Sequence, residues 1–385
     1  MSTTSSALTI LLTLVFATSC KSVIDRQDVR PKILRDVPAR NLAYRLSPDV
    51  SAPSTDIDDP FEKFGPVATD FSTKRKDEAL LRTIVSPDKR RVLALYGTAD
   101  EPGSTFRIDL YNSDGQFLHN LVPPDIACVF PETVTWSPDG NFINFIAHKR
   151  AMPSPTPTPE FEPETSATPA VPAPSVGPIF APVASFTTEQ IYICNRDGYD
   201  LKPLTTREGL IYFYFVWSPD ATSLVALACK EDEWNTREQQ YKLPAGRPRL
   251  IALDGSERLL DDGLTDALPV WSPDGSKIAT AFDTDVAIYD AGGKTPTQSR
   301  IPLRDPLIEA SVAFEQKTST KKASTAPTTA STVPPSFNPI VRLDWRKPEL
   351  LYFQTAFVRV MPSETINTFQ RWHQLALSAQ AAILK

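Results

Sequence analysis

Short apolar segments recur along this chain, and each ends in a tight turn that a second apolar segment follows. The turn reads Trp-Ser-Pro-Asp-Gly at 136–140 and 271–275, Trp-Ser-Pro-Asp-Ala at 217–221 and Val-Ser-Pro-Asp-Lys at 85–89. Proline presets the backbone of the first central turn position, and a serine or aspartate side chain can bond the local backbone. Strand-like runs follow at 92–96, 142–147, 224–228 and 278–282, and an eroded fifth copy lies at 344–353. The pattern predicts repeated pairs of antiparallel strands.

The repeats have a period of about 50 residues, which is the length of one four-stranded propeller blade. Val85 and Trp136 lie 51 positions apart, and Trp217 and Trp271 lie 54 apart. The two longer gaps each contain a low-complexity stretch, and its removal restores the period. A second turn, with Asp and Gly after a strand, recurs at 114–115, 197–198 and 254–255 and is a hairpin signal. The sequence therefore predicts an all-β fold, a single β-propeller of five or six four-stranded blades.

These residues also resemble a known family. The turn at Trp271–Gly275 with the apolar run after it, and the strand and turn at Ile191–Gly198, resemble the TolB-like, WD-like β-propeller repeat. The resemblance covers roughly residues 80–355 and implies the fold, but a fold does not name a ligand. On this basis residues 65–385 are assigned to the propeller.

The N-terminus reads as an export signal. Residues 1–19 are predicted to be a signal peptide, because the apolar run Ala7–Ala17 is too short to span a bilayer but suits a signal sequence. Phe16–Cys20 resembles a bacterial lipobox, which implies cleavage before Cys20 and lipid on its sulfur. An ordinary cleaved signal and an uncleaved anchor are the alternatives. Residues 20–64 are predicted to be a lipid-anchored tether that contains a possible closing strand for the last blade, at Asn41–Leu46.

Three insertions interrupt the repeats. Residues 151–185 are proline-rich and residues 315–338 are rich in Thr, Ser, Ala and Pro, so both are predicted to be disordered. Lys230–Pro248 is polar and aromatic, and one short helix is expected there. We denote the strands of a blade A to D outward from the central channel, with the Ser-Pro-Asp-Gly turn joining A to B. All three insertions then fall in B–C or D–A connections on the opposite face, which is the expected binding face.

Aromatic residues near this face are the candidate binding residues. Trp234 and Tyr241 are seven residues apart, so a helix would place them on one side, as binding anchors. Tyr212 lies on an A strand near the same face, where strict alternation sends it away from Phe213 and Trp217. We predict that Trp234, Tyr241 and Tyr212 bind the partner, with folding back of the two helical aromatics onto the blade edge as the alternative. The repeated aspartates and tryptophans are interpreted as turn caps and inter-blade packing.

The cysteines and the net charge limit which cofactors and partners the sequence predicts. Cys128, Cys194 and Cys229 are expected to be free and buried, with one disulfide among them as the alternative. No Cys-x-x-Cys pair exists and Asp283–Asp285 lacks the glycine of a calcium loop, so no metal and no cofactor are predicted. A net charge of −6 argues against a nucleic-acid partner.

Motifs of hydrolases and nucleotide-binding enzymes are absent. The sequence has no G-x-S-x-G elbow, no H-E-x-x-H and no phosphate-binding loop. The sequence thus predicts a non-enzymatic cell-envelope or cell-surface scaffold that binds a protein or peptide and reaches the membrane only through lipidated Cys20. A glycan or small-molecule binder, or a hydrolase with carboxylates in the channel, are the alternatives.

Overall fold

The computed structural model describes residues 33–54, 63–98, 106–150, 183–240, 243–322, 339–361 and 364–379. Its strands form five antiparallel sheets, and each sheet is one four-stranded blade of a β-propeller. The predicted fold class is confirmed, with five blades within the described ranges. The signal peptide and Cys20 lie outside these ranges.

The elements follow the repeat in chain order. Before the first blade lie β1 (Leu42–Val50) and α1 (Gly65–Lys74). The first blade contains β2 (Glu78–Val85), β3 (Arg91–Thr98), β4 (Arg107–Asn112) and β5 (Phe117–Asn120). The second contains β6 (Ile126–Val129), β7 (Thr135–Trp136), β8 (Phe142–Lys149), β9 (Gln190–Asn195) and β10 (Lys202–Pro203), with β6 and β7 sharing the A position.

The remaining blades carry the two other helices. The third blade contains β11 (Leu210–Trp217), β12 (Ser223–Lys230), α2 (Glu231–Gln240), β13 (Arg247–Ala252) and β14 (Glu257–Leu259). The fourth contains β15 (Val270–Trp271), β16 (Lys277–Phe282), β17 (Asp285–Asp290) and β18 (Gln298–Pro302), and α3 (Arg304–Lys322) follows it. The fifth contains β19 (Ile340–Lys347), β20 (Leu350–Met361) and β21 (Glu364–Ala379), with β1 as its outer strand.

Strand β1 joins the two ends of the described chain. It pairs with β21 from Leu42 opposite Ala379 to Ser47 opposite Gln374, and a bulge then separates Ser47 from Val50. Asp49 sits in this bulge with φ of 55°, so this Ser-Pro-Asp copy bends a strand instead of joining strands A and B. Residues 42–50 therefore belong to the fifth blade.

The Ser-Pro-Asp turns are held by their own side chains. In the first blade Ser86 Oγ donates to Asp88 Oδ1 at 2.7 Å and accepts the Arg91 N–H at 3.0 Å. Ser218 and Ser272 repeat the contact to the aspartate two positions on, at 2.6 and 2.7 Å. These contacts confirm the interpretation of the aspartates as turn caps. The Ser86 hydroxyl and the Arg90 N–H lower the pKa of Asp88 to about 2.

The repeated tryptophans join neighbouring blades, as predicted. Trp136 Nε1 of the second blade donates to the Ile84 carbonyl of the first at 3.2 Å. Trp271 Nε1 of the fourth blade donates to the Val216 carbonyl of the third at 3.2 Å. Four apolar clusters fill the seams between blades one and two, two and three, three and four, and four and five.

The seam between the fifth and the first blade is built differently. Within the described residues no apolar cluster joins these two blades, and α1 covers the first blade instead through Val67 and Phe71. The Arg75 guanidinium lies 4.2 Å from the ring centroids of both Phe71 and Tyr96 and donates to the buried Asp109 at 2.7 Å. Helix α1 thus takes the place of a neighbouring blade on this side.

Two insertion predictions are settled by the structure. The short helix expected in Lys230–Pro248 is α2. The disorder expected from residue 315 is wrong as far as Lys322, because α3 continues to that residue. The start of this helix is fixed by Leu307 and Ala310, which are three positions apart and buried. The Glu, Gln and Lys residues that follow have high helix propensity and allow the helix to continue. Residues 151–182 and 323–338 lie outside the described ranges.

The three cysteines are buried and form no disulfide with one another. Cys128, Cys194 and Cys229 are all free. Burial raises the pKa of the Cys128 and Cys229 thiols to about 12. They therefore behave as small apolar side chains, as the sequence suggested.

Candidate functional site

A cavity of about 1090 Å³ lies where the A strands of the blades converge. All five blades contribute to its wall, through residues such as Ile84, Trp136, Phe215, Leu268 and Val341. Sites that enclose small ligands usually measure about 300–1,000 Å³, so this cavity has room for a segment of a larger molecule.

Irregularities in the A strands shape the wall. The register of β2 shifts between Leu80 and Arg82, that of β11 between Tyr212 and Tyr214, and that of β19 between Ile340 and Arg342. The extra residues of the last two bulges, Phe213 and Val341, line the cavity. Bulges re-aim side chains next to functional sites. The bulges here present apolar side chains to the centre of the propeller.

The second blade has a longer interruption at the same place. Between β6 and β7 a single 3₁₀ turn, Pro131–Thr133, replaces the strand, and it begins after Phe130, whose φ is 57°. A bulky residue in the left-handed region is uncommon and is held there by its surroundings. The turn brings Glu132 and Thr133 to the cavity wall. Glu132 is a candidate site residue that the sequence analysis missed, because the signal is a backbone irregularity.

Several exposed apolar side chains line the cavity. Val85, Leu243, Leu268 and Val341 are 40%, 59%, 46% and 42% exposed, and all four line it. Exposed apolar residues scattered singly are ordinary, but several that line one cavity indicate an interaction site. The chemistry of the wall therefore favours a ligand with apolar side chains.

Few polar groups interrupt this wall. Its two carboxylates are Glu132 and Asp266, and Asp266 Oδ2 lies 3.6 Å from Arg237 Nη2 of α2. Trp217 also lines the cavity, and its buried Nε1–H has no acceptor among the described residues. Because Arg237 partly offsets the charge of Asp266, Glu132 is the carboxylate of the wall that would most favour a cationic group on the ligand.

Two of the predicted binding residues, Trp234 and Tyr212, are more buried than a binding role would require. Trp234 is half-buried, with ring centroids 5.9 Å from Phe130 and 5.5 Å from Phe213, so it packs behind the cavity wall. Tyr212 is fully buried and donates to Glu257 Oε2 at 2.9 Å. Burial, and then the charge of Glu257, raise the pKa of Tyr212. Tyr241 lies outside the described residues.

The predicted alternation along this strand was wrong, and the bulge is the reason. Tyr212 belongs to the same apolar cluster as Phe215 and Trp217, whereas Phe213 packs with Ile211 and Trp234. One extra residue in a strand moves every preceding side chain to the other face. Tyr212 is therefore inaccessible to a ligand, and Phe213 takes the position near the cavity.

The described ranges contain no group of three or more His, Cys, Asp and Glu residues that could hold a metal ion. No helix there is both long and apolar enough to cross a membrane.

Comparisons with known proteins found similarity to solved structures. No family model and no curated protein matches the sequence. Among solved structures, the chain is similar to prolyl oligopeptidase B from Galerina marginata, with 10% identity, a TM-score of 0.42, and coverage of 89% of this chain and 41% of that one. It is also similar to the structure of a nidogen/laminin complex, with 11% identity, a TM-score of 0.33, and coverage of 77% and 84%.

A peptidase from a bacterium gives a similar result. Dipeptidyl peptidase 4 from Porphyromonas gingivalis matches with 10% identity, a TM-score of 0.39, and coverage of 75% of this chain and 38% of that one. The chain thus spans about two fifths of the length of the peptidases it resembles.

The comparisons correct one prediction. The sequence predicted a protein without enzymatic activity, but two of the similar structures are hydrolases, prolyl oligopeptidase B and dipeptidyl peptidase 4. The prediction of no enzymatic activity is therefore contradicted. The similar structures also include the nidogen/laminin complex.

Proposed function

We propose that this protein is an exported, TolB-like β-propeller that is held at the membrane by lipidated Cys20 and binds an envelope protein or peptide in its central cavity. The observation that carries this proposal is that four exposed apolar residues line the cavity, Val85, Leu243, Leu268 and Val341. Covering them with a ligand removes apolar surface from water, at about 25 cal/mol per Å².

The shape of the cavity supports a peptide segment as the ligand. Apolar wall residues come from every blade, so an extended segment can place side chains against several of them at once. Glu132 and Asp266 offer acceptors to backbone N–H groups or to a cationic side chain. Aromatic walls with a few placed polar groups are typical of sites that bind one ligand in one orientation.

The insertion between β12 and β13 contributes to one end of this site. Leu243 and Pro244 of the insertion line the cavity, and Tyr241 precedes them by two and three positions. Trp234 contacts Phe213 and supports the wall from behind. In this proposal Trp234 acts by positioning Phe213, and Tyr241 remains a candidate contact.

The proposed attachment rests on the sequence of the N-terminus. An apolar run of signal length and a lipobox-like Phe16–Cys20 support export and lipidation. The described part of the 20–64 segment packs on the fourth blade through Leu34 and Ala39 and then forms β1, so the tether would lie before residue 33.

The test is a pull-down from envelope extract with full-length protein in detergent. The cavity variant combines Leu243→Asp with Leu268→Asp, two exposed positions where charge does not disturb the core. The matched control combines Lys89→Glu with Asn141→Asp, exposed residues at the Ser-Pro-Asp turns that do not line the cavity. We expect the cavity variant to lose at least 90% of the partner captured by the unmodified protein and the control to keep it. Loss in the control with retention in the cavity variant would reject the cavity as the binding site.

A further inference from the structure

The fifth blade presents a sheet face that no neighbouring blade covers within the described ranges, and only Pro53 and Ser54 lie beside it. Its strands alternate between buried and accessible residues, with Leu343, Phe353 and Leu375 buried against the fourth blade. In the other blades the B strands are buried almost continuously, as in β3 and β12, because neighbours cover both faces. One side of the fifth blade is thus left without a neighbouring blade.

The strand register shows which residues share this face. Gln354 pairs with Arg342 on one side and with Trp372 on the other, and Tyr352 pairs with Asp344 and Gln374. Directly opposite residues project from the same face of a sheet, and diagonal neighbours lie about 7–8 Å apart. Tyr352 and Trp372 are diagonal neighbours. We call this surface the free face of the fifth blade.

Two contacts organise the free face. The guanidinium carbon of Arg342 lies 5.8 Å from the ring centroid of Trp372. A cleft of about 220 Å³ opens beside Tyr352 and is lined by Ser54, Arg346 and Lys347. An aromatic ring therefore lies beside cationic groups at two places on this surface: Trp372 beside Arg342, and Tyr352 beside Arg346 and Lys347.

The free face is basic although the protein is acidic. Arg45, Arg342, Arg346 and Lys347 are all exposed. Among the described residues, the nearby carboxylates are Asp344, which is paired with Arg346 at 2.8 Å, and Glu349 in the turn. The whole chain carries a net charge of −6. A local excess of positive charge on an acidic protein attracts an anionic ligand.

The residue types distinguish an acidic glycan from an acidic protein. The core of a protein interface is usually apolar and depleted in charge. Tyr352, Trp372 and the amides of Gln354 and Gln374 lie at the centre of the free face, and Leu350 lies beside Tyr352 at its turn end. Aromatic rings give flat apolar platforms, amides bond hydroxyl groups, and arginine binds carboxylates with two hydrogen bonds. A polymer of rigid, hydroxylated, carboxylate-bearing rings offers a partner to each of these groups.

We propose that the free face of the fifth blade binds an acidic polysaccharide, with the sugar rings on Trp372 and Tyr352 and the carboxylates on Arg342 and Lys347. This site is separate from the central cavity and does not depend on the function proposed for it.

The experiment measures binding of full-length protein in detergent to polygalacturonate, by affinity electrophoresis and calorimetry. Dextran serves as the neutral glycan and poly-L-glutamate as the acidic peptide. We expect binding to polygalacturonate, and at least tenfold weaker binding to the two other polymers. Equal binding of poly-L-glutamate, or no binding of polygalacturonate, would overturn the proposal.

Variants locate the site. Arg342→Glu with Lys347→Glu should weaken polygalacturonate binding at least tenfold, while Lys89→Glu with Arg90→Glu, which changes the net charge equally at the Ser-Pro-Asp turns, should leave it within twofold. Trp372→Ala should weaken binding tenfold, and Trp372→Phe, which keeps a ring, should restore it to within threefold. Equal loss in the two charge variants would show a non-specific charge effect and would also overturn the proposal.

Discussion

At the scale of single residues, the repeated tryptophans are similar in burial and differ in one hydrogen bond. Trp217 and Trp271 are each less than a tenth exposed. Trp271 Nε1 donates to the Val216 carbonyl, whereas Trp217 Nε1 has no acceptor within the described chain and its ring stacks on Phe142 at 6.3 Å. The sequence repeat therefore specifies the ring at each position, and the tertiary packing decides whether its N–H is satisfied.

This difference gives a prediction for two matched variants. Trp271→Phe should destabilise the protein by about 1 kcal/mol more than Trp217→Phe, because only the first change removes a hydrogen bond and leaves a carbonyl short of a donor. Both changes remove the same volume, so each controls for the other. Urea unfolding measures the two losses of free energy, and an equal loss in both variants would contradict the hydrogen-bond assignment.

At the scale of elements, the closing strand β1 is fastened to β21 by a polar cluster. Arg371 donates from Nε and Nη2 to the two carboxylate oxygens of Asp49, both at 2.6 Å. His373, 1% exposed, accepts the Asp49 N–H at Nδ1, at 3.4 Å, and its Nε2 lies 2.9 Å from Thr355 Oγ1. With Nδ1 as acceptor, the imidazole is neutral and Nε2–H donates to Thr355.

Stability should therefore depend on the protonation of His373. Burial, with a contribution from the Arg371 charge, lowers the pKa of His373 to about 4. An unfolded histidine has a pKa of about 6.5, so between these values the unfolded state binds more protons than the folded one. The free energy of unfolding should fall by about 3 kcal/mol as the pH drops from 6.5 to 4. Below the folded pKa the stabilising contribution of neutral His373 is lost completely.

Urea unfolding at pH 7, 5.5 and 4.5 measures this effect. His373→Gln keeps an amide donor for Thr355 but does not titrate, so its stability should change much less across the same range. If the free energy of unfolding of His373→Gln fell with pH as steeply as that of the unmodified protein, a group other than His373 would cause the pH dependence.

At the scale of the whole molecule, five blades are arranged around a cavity, with packed apolar seams between four successive pairs. The fifth seam is taken by α1 on the first blade, and the opposing face of the fifth blade is left accessible. The segment before β1 packs on the fourth blade, where Leu34, Val37 and Ala39 are buried and the Ala39 N–H donates to Asp290 Oδ1 at 3.0 Å.

The proposed anchor is tested by changing Cys20 to alanine. The unmodified protein should be recovered with the membrane fraction, and Cys20→Ala should be released, because acyl chains rather than a spanning helix would hold it. Cys128→Ala is the control, since that thiol is buried in the propeller. Retention of Cys20→Ala in membranes after a salt wash would reject lipid anchoring.

The sequence by itself determined the repeat, the class of fold and the structural role of the turn residues. These properties are local: a Ser-Pro-Asp turn closes through contacts among neighbours such as Ser86, Asp88 and Arg91, and apolar runs of fixed spacing predict strands. Neighbouring residues carry all the information that such contacts need.

Only the tertiary structure decided which of these side chains can meet a ligand. A single bulge moved Tyr212 into the core and Phe213 toward the cavity, and a strained Phe130 brought Glu132 to the wall. Trp234 found a pocket between Phe130 and Phe213, and α1 took the position of a blade. Each outcome depends on residues far apart in the sequence, because burial is set by which elements pack together, and local patterns do not encode that choice.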